Sequence, residues 1–110
     1  MKKRKRERLE AAGWKVGSAK EFLGLTEEEA AMIELKLALA KALKEERTRQ
    51  KITQDELGRM LGSSQSRVAK MEAGDPSVSV DLLVRSLFKL GASRQDLARH
   101  LAASPKRRAA

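Results

Sequence analysis

Apolar residues recur along the chain at helical spacing, and short polar stretches carrying Ser, Thr or Gly divide them into segments. The longest segment opens at Thr26-Glu-Glu-Glu. Thr26 with Glu29 three residues on is a capping box, and three carboxylates sit at the positive end of the helix dipole. No Gly or Pro interrupts the chain until Gly58. The pattern therefore predicts a helix to about Gln50, roughly 24 residues and ~36 Å long. Met32, Leu35, Leu39 and Leu43 form one stripe on it; Ile33, Leu37 and Ala40 form another. A helix apolar around much of its girth needs cover on two sides. The charged stretch Lys44 to Lys51 closes it with cations near its negative pole.

Four shorter helices follow. Thr53 and Glu56 make a second capping box, Leu57, Met60 and Leu61 supply an apolar face, and Gly62 is the stop signal. Ser64 caps a helix to Glu72 with Val68 and Met71 inward, and Gly74 ends it. After a turn at Asp75-Pro76-Ser77, Ser79 caps a helix whose core positions are Leu82, Leu83, Leu87, Phe88 and Leu90. Gly91 ends that helix. Ser93 and Asp96 begin the last one, with Leu97, Ala98 and Leu101 inward. The fold class expected is all-α.

The N-terminal side reads differently. Residues 11–25 form an extension in which Ser18 caps a short helix ended by Gly24, and Trp14, Val16, Phe22, Leu23 and Leu25 need a surface to pack on. Residues 1–10 have one apolar side chain after Met1, too little to offset the entropy of ordering, and are expected to be a disordered basic arm. Residues 103–110 are expected to be a disordered basic tail. The domain proper is assigned to 26–102.

The stretch Thr53 to Gly74 joins two helices of about eight residues through a short turn with Gly, the spacing of a helix-turn-helix that reads DNA. Its residues resemble the Cro/phage-repressor (Xre) family at Thr53-Gln54, Leu57, Leu61-Gly62, Ser64-Gln65, Val68, Glu72 and Gly74. The resemblance extends over about residues 38–102. It implies a five-helix, lambda-repressor-type domain, here with an elongated first helix and an N-terminal extension. Two positions depart from the family pattern. Gly58 stands where Ala is usual, which either weakens the helix by up to ~1 kcal/mol or lets it approach another backbone closely. Ser63 stands where a small apolar residue is usual.

The resemblance also implies roles. The second helix of the motif enters the major groove by its N-terminus, where Gln65, Ser66, Arg67 and Lys70 are candidates for base contacts. Gln can bond an adenine edge; Arg and Lys can reach guanine O6 and N7. Arg67 is also placed to reach a phosphate. Gln54, Ser64, Arg49 and Lys51 are candidates for phosphate contacts, which set register rather than sequence. Arg47 and Glu72 match the positions of a structural ion pair. The loop from Asp75 to Val80 has no Lys or Arg, where many relatives carry phosphate-binding cations. Trp14, Phe22, Met32, Ile33 and Leu37 are candidates for a dimer or partner surface.

Charge adds less than its total suggests. The net charge is +9. Residues 1–10 contribute six basic against two acidic residues, and the tail contributes Lys106, Arg107 and Arg108. Basic charge attracts polyanions, but most of it lies outside the expected fold. There is no Cys and a single His, which excludes a disulfide framework and a thiolate metal site. No cofactor or metal is expected, and no catalytic constellation is present. His100 is expected on the exposed or dimer-facing side of the last helix. No long apolar run suggests a membrane span, and the basic N-terminus lacks the apolar stretch of a secretory signal. The expected location is cytoplasmic. The function implied is a homodimeric, sequence-specific repressor on an inverted-repeat operator in double-stranded DNA. The alternative is a HigA-type antitoxin that binds its own operator and neutralises a RelE/HigB-like ribonuclease toxin. RNA or ribosome binding through the tails is disfavoured because aromatic platforms are absent.

Overall fold

The computed structural model describes residues 23–103. The arm at 1–10, most of the extension with Trp14 and Phe22, and the tail from 104 onward lie outside the described residues. Five helices follow in order: α1 Glu27–Arg49, α2 Gln54–Leu61, α3 Gln65–Glu72, α4 Val80–Lys89 and α5 Arg94–Ala102. There is no strand among the described residues. The architecture is an all-α, repressor-like helix-turn-helix fold.

Each helix starts where a side chain satisfies its first free amides. The Thr26 hydroxyl accepts from Glu29 N at 3.1 Å, and Glu29 Oε1 accepts from Thr26 N at 2.9 Å. The same reciprocal pair forms between Thr53 and Glu56 and between Ser93 and Asp96. Ser64 and Ser79 accept from the third residue of α3 and α4. Gly62 closes α2 in the left-handed region, at φ 68°, which costs a glycine little. The end of α1 uses no glycine. Lys51 takes φ 60° there, while its amide bonds Thr48 O and the Ile52 amide bonds Arg47 O.

The described residues divide into two compact units, 23–34 and 35–103; α1 runs through the boundary. In the first, Ala30 is buried, Ile33 is half-buried and Met32 is 51% exposed. In the second, one core gathers Leu39, Ala42 and Leu43 from α1, Leu57 from α2, Val68 and Met71 from α3, Val78 from the turn, Leu83 and Leu87 from α4, and Leu90 just after it. Burial of such aliphatic side chains is worth about 1.5–3 kcal/mol each and is the main force holding the helices together.

Three apolar positions differ from the periodicity reading. Met60 is 40% exposed and Phe88 46% exposed. Each is turned away from its helix's buried positions, Met60 by about 60° from Leu57 and Phe88 by about 100° from Leu87. Ala98 on α5 is exposed, whereas Leu97 and Leu101 pack partly against the core. His100 also departs from its expected place. It is half-buried against α1, with Nε2 2.8 Å from Glu46 Oε2 and Nδ1 3.3 Å from Glu45 Oε1.

Candidate nucleic-acid interface

The turn between α2 and α3 is held tightly. Ser63 N donates to Gly58 O at 2.7 Å, a short bond across the turn. A Cβ on Gly58 would lie 2.9 Å from the Ser64 carbonyl carbon and 3.1 Å from Ser63 O. The missing side chain is therefore what lets α2 sit against the backbone that starts α3.

A polar chain then fixes the two helices to α1. Arg47 Nε donates to Glu72 Oε2 at 2.5 Å and Nη2 to Glu72 Oε1 at 3.0 Å. Arg47 Nη1 also donates to Ile52 O at 2.8 Å. The two side chains are only 11% and 4% exposed. The Glu72 hydrogen bond raises the Arg47 pKa above its ordinary value, against the opposing effect of burial. Glu72 Oε1 also accepts from Gln54 Nε2 at 3.0 Å, and Gln54 Oε1 accepts from Gln65 Nε2 at 2.6 Å. A continuous path thus runs from the last turns of α1, through the start of α2, to the first residue of α3. The family resemblance implied a pair at the Arg47 and Glu72 positions. Gln54, a candidate phosphate contact, has its side-chain amide engaged with Glu72 and Gln65, a link that no sequence pattern marks.

On the outer face of α3, Gln65, Ser66, Arg67 and Lys70 are all exposed. Ser66 Oγ lies 3.3 Å from the capping hydroxyl of Ser64. Many cations of the molecule are neutralised by a neighbouring acid: Arg59 by Asp55, Arg85 by Asp81, Arg99 by Asp96 and Lys41 by Glu45. Among the described residues, Arg67 and Lys70 have no such partner. The exposed face of α3 therefore carries two cations without a salt-bridge partner, beside Gln65 and Ser66, whose side chains bond Gln54 and Ser64.

The remaining candidates fall in two groups. Lys51 is exposed just ahead of the α2 cap. Arg49 is drawn elsewhere: its guanidinium pairs with the buried Glu46 and feels Asp96 of α5. Its direction follows from rotation. Arg49 lies two residues beyond Arg47, about 200° around the helix, so the two side chains leave opposite faces. Leu37 is half-buried beside Gly74, where a Cβ would meet its Cδ2 at 2.9 Å. Leu37 is thus committed to the fold, and of the described partner-surface candidates Met32 is the exposed one. Among the described residues no cluster of His, Asp or Glu could hold a metal ion, and no helix is long and apolar enough to cross a membrane.

Capped helices, a tight turn and an exposed polar row define a helix-turn-helix unit. A family model described as helix-turn-helix matches residues 43–85, from the second half of α1 into α4. No curated protein and no solved structure matches the chain.

Proposed function

We propose that this protein is a transcription regulator that binds double-stranded DNA in a sequence-specific way, with α3 in the major groove. The exposed, unneutralised row of Gln65, Ser66, Arg67 and Lys70 on a helix held by its neighbours carries this reading. The match over residues 43–85 supports it. Gln65 reads a base edge while its amide nitrogen is oriented by Gln54. Lys70 and Ser66 contact bases further along, and Arg67 reaches a base or a phosphate. Ser64, Lys51 and the α2 N-terminus face the sugar-phosphate backbone, where helix amides favour anions. The regulator acts as a homodimeric repressor on an inverted repeat, since a two-fold pair of recognition helices matches half-sites about one DNA turn apart. The antitoxin alternative rests on the sequence resemblance alone.

The test is an anisotropy titration with the protein's own promoter fragment and a scrambled duplex. Wild type should prefer the promoter. Gln65→Ala should cost about 1–3 kcal/mol on the promoter and little on the scrambled duplex. Equal losses on both would remove Gln65 from the groove.

A further inference from the structure

The turn after α3, Asp75 to Val80, carries an acid and no cation of its own. The structure supplies one from another element. Lys36, on α1, extends its ammonium to Pro76 O at 3.2 Å. This contact ends a continuous face of α1 along which the chain leaving α3 is laid. Arg47 holds Glu72, Ala40 and Leu37 lie against Gly74, and Lys36 reaches Pro76. Ala40 lies seven residues before Arg47, and Leu37 and Lys36 lie three and four residues before Ala40, spacings that return to one side of a helix.

Lys36 also lies close to the C-terminal end of α3, through Pro76 and Asp75. Asp75 lies in the field of both Lys70 and Lys36, which help hold its carboxylate below its ordinary range, after the larger effect of its bonds to the Ser77 hydroxyl and amide. An ammonium has three donors; the bond to Pro76 O uses one. Lys36 has no acidic partner within salt-bridge distance among the described residues.

Resting on the DNA-binding reading above, we propose that Lys36 is a phosphate-contacting residue: α1 lends the turn after the recognition helix the cation that the turn's own sequence lacks. The contact is independent of base sequence. It anchors the C-terminal end of α3 on the backbone while Gln65 and Lys70 address the groove.

The experiment measures binding of the full chain to a short mixed-sequence duplex over a range of salt concentrations, for wild type, Lys36→Gln, Lys36→Arg and the double variant Lys36→Gln with Asp75→Asn. Each phosphate neutralised contributes about 0.9 to the slope of log K against log salt. Lys36→Gln should lower the slope by about that amount with an unchanged thermal midpoint. Lys36→Arg should keep the wild-type slope, and the double variant should stay low. An unchanged slope in Lys36→Gln would overturn the proposal. So would recovery of wild-type slope in the double variant, because Lys36 would then only cancel Asp75. A lowered thermal midpoint with an unaltered slope would make Lys36 a clasp between α1 and the turn, which also overturns it. Wild type that fails to bind any duplex would instead refute the DNA reading itself.

Discussion

At the scale of single residues, Gly58 has the sharpest consequence. By intrinsic helix propensity, Ala there should stabilise α2 by up to ~1 kcal/mol. The Cβ would instead press on the backbone of Ser63 and Ser64, at 2.9 to 3.1 Å, and neither can yield without moving the start of α3. Overpacking of this kind costs about 1–3 kcal/mol. Gly58→Ala should therefore destabilise the protein in urea unfolding monitored by circular dichroism, by up to roughly 2 kcal/mol net. A gain in stability would show that the turn is loose. The sequence offered both explanations of this glycine, and geometry selects the close approach. Lys51 is the opposite case. Its left-handed backbone ends α1, yet nothing in a lysine signals such a turn, which is why the sequence reading carried the helix to Gln50 without a stop signal. Phe88 and Met60 were misplaced for a related reason: helical spacing assigns a face but not how far neighbouring helices extend over it.

At the scale of elements, the order of helices was legible because each begins with its own cap, and those caps form the bonds that their spacing implies. What joins the elements was less visible. Gln50 Nε2 donates to Leu90 O at 2.8 Å, tying the end of α1 to the end of α4, and no local pattern marks a contact forty residues away. The Arg47–Glu72 pair is the strongest joint. Removing Glu72 alone leaves a guanidinium with little solvent and frees the amide of Gln54. Glu72→Ala should cost about 3 kcal/mol, the low end for a buried pair because Arg47 retains some exposure. Replacing both residues by methionine should cost much less than the sum of the single changes, since neither charge is then stranded. A double-mutant cycle by urea unfolding measures this, and strictly additive losses would mean that the pair is not coupled. Because Glu72 also positions Gln54, the same variants should blunt discrimination between promoter and scrambled DNA.

At the scale of the molecule, two polar clusters divide the work between adjoining faces of α1, since Glu46 and Arg47 lie about 100° apart around it. One, through Arg47, organises the recognition helix. The other, through Glu46, holds α5. Glu46 is only 4% exposed, and its partners are His100 and Arg49. The hydrogen bond from His100, then that from Arg49, lowers its pKa below 4.5 despite the opposing effect of burial. Asp96, which caps α5, is lowered from 3.8 to about 2, chiefly by the Ser93 backbone amide. Both carboxylates are held more strongly as anions in the folded chain than in the unfolded one. Their stabilisation is thus fully present above the unfolded values and is lost as pH falls through the folded ones. Acid should loosen α5 through both groups, Glu46 at its seat on α1 and Asp96 at its cap. Urea midpoints followed from about pH 5 to about pH 3 should fall in wild type and fall less in Glu46→Gln, which no longer has that proton to gain. The variant should keep the part of the acid limb due to Asp96, which extends toward about 2. At neutral pH it should already be weaker by roughly 1–3 kcal/mol, having exchanged charge-assisted hydrogen bonds for neutral ones. An acid limb of wild-type steepness in Glu46→Gln would mean that Glu46 does not couple α5 to protons, and that the cap at Asp96 carries the whole effect.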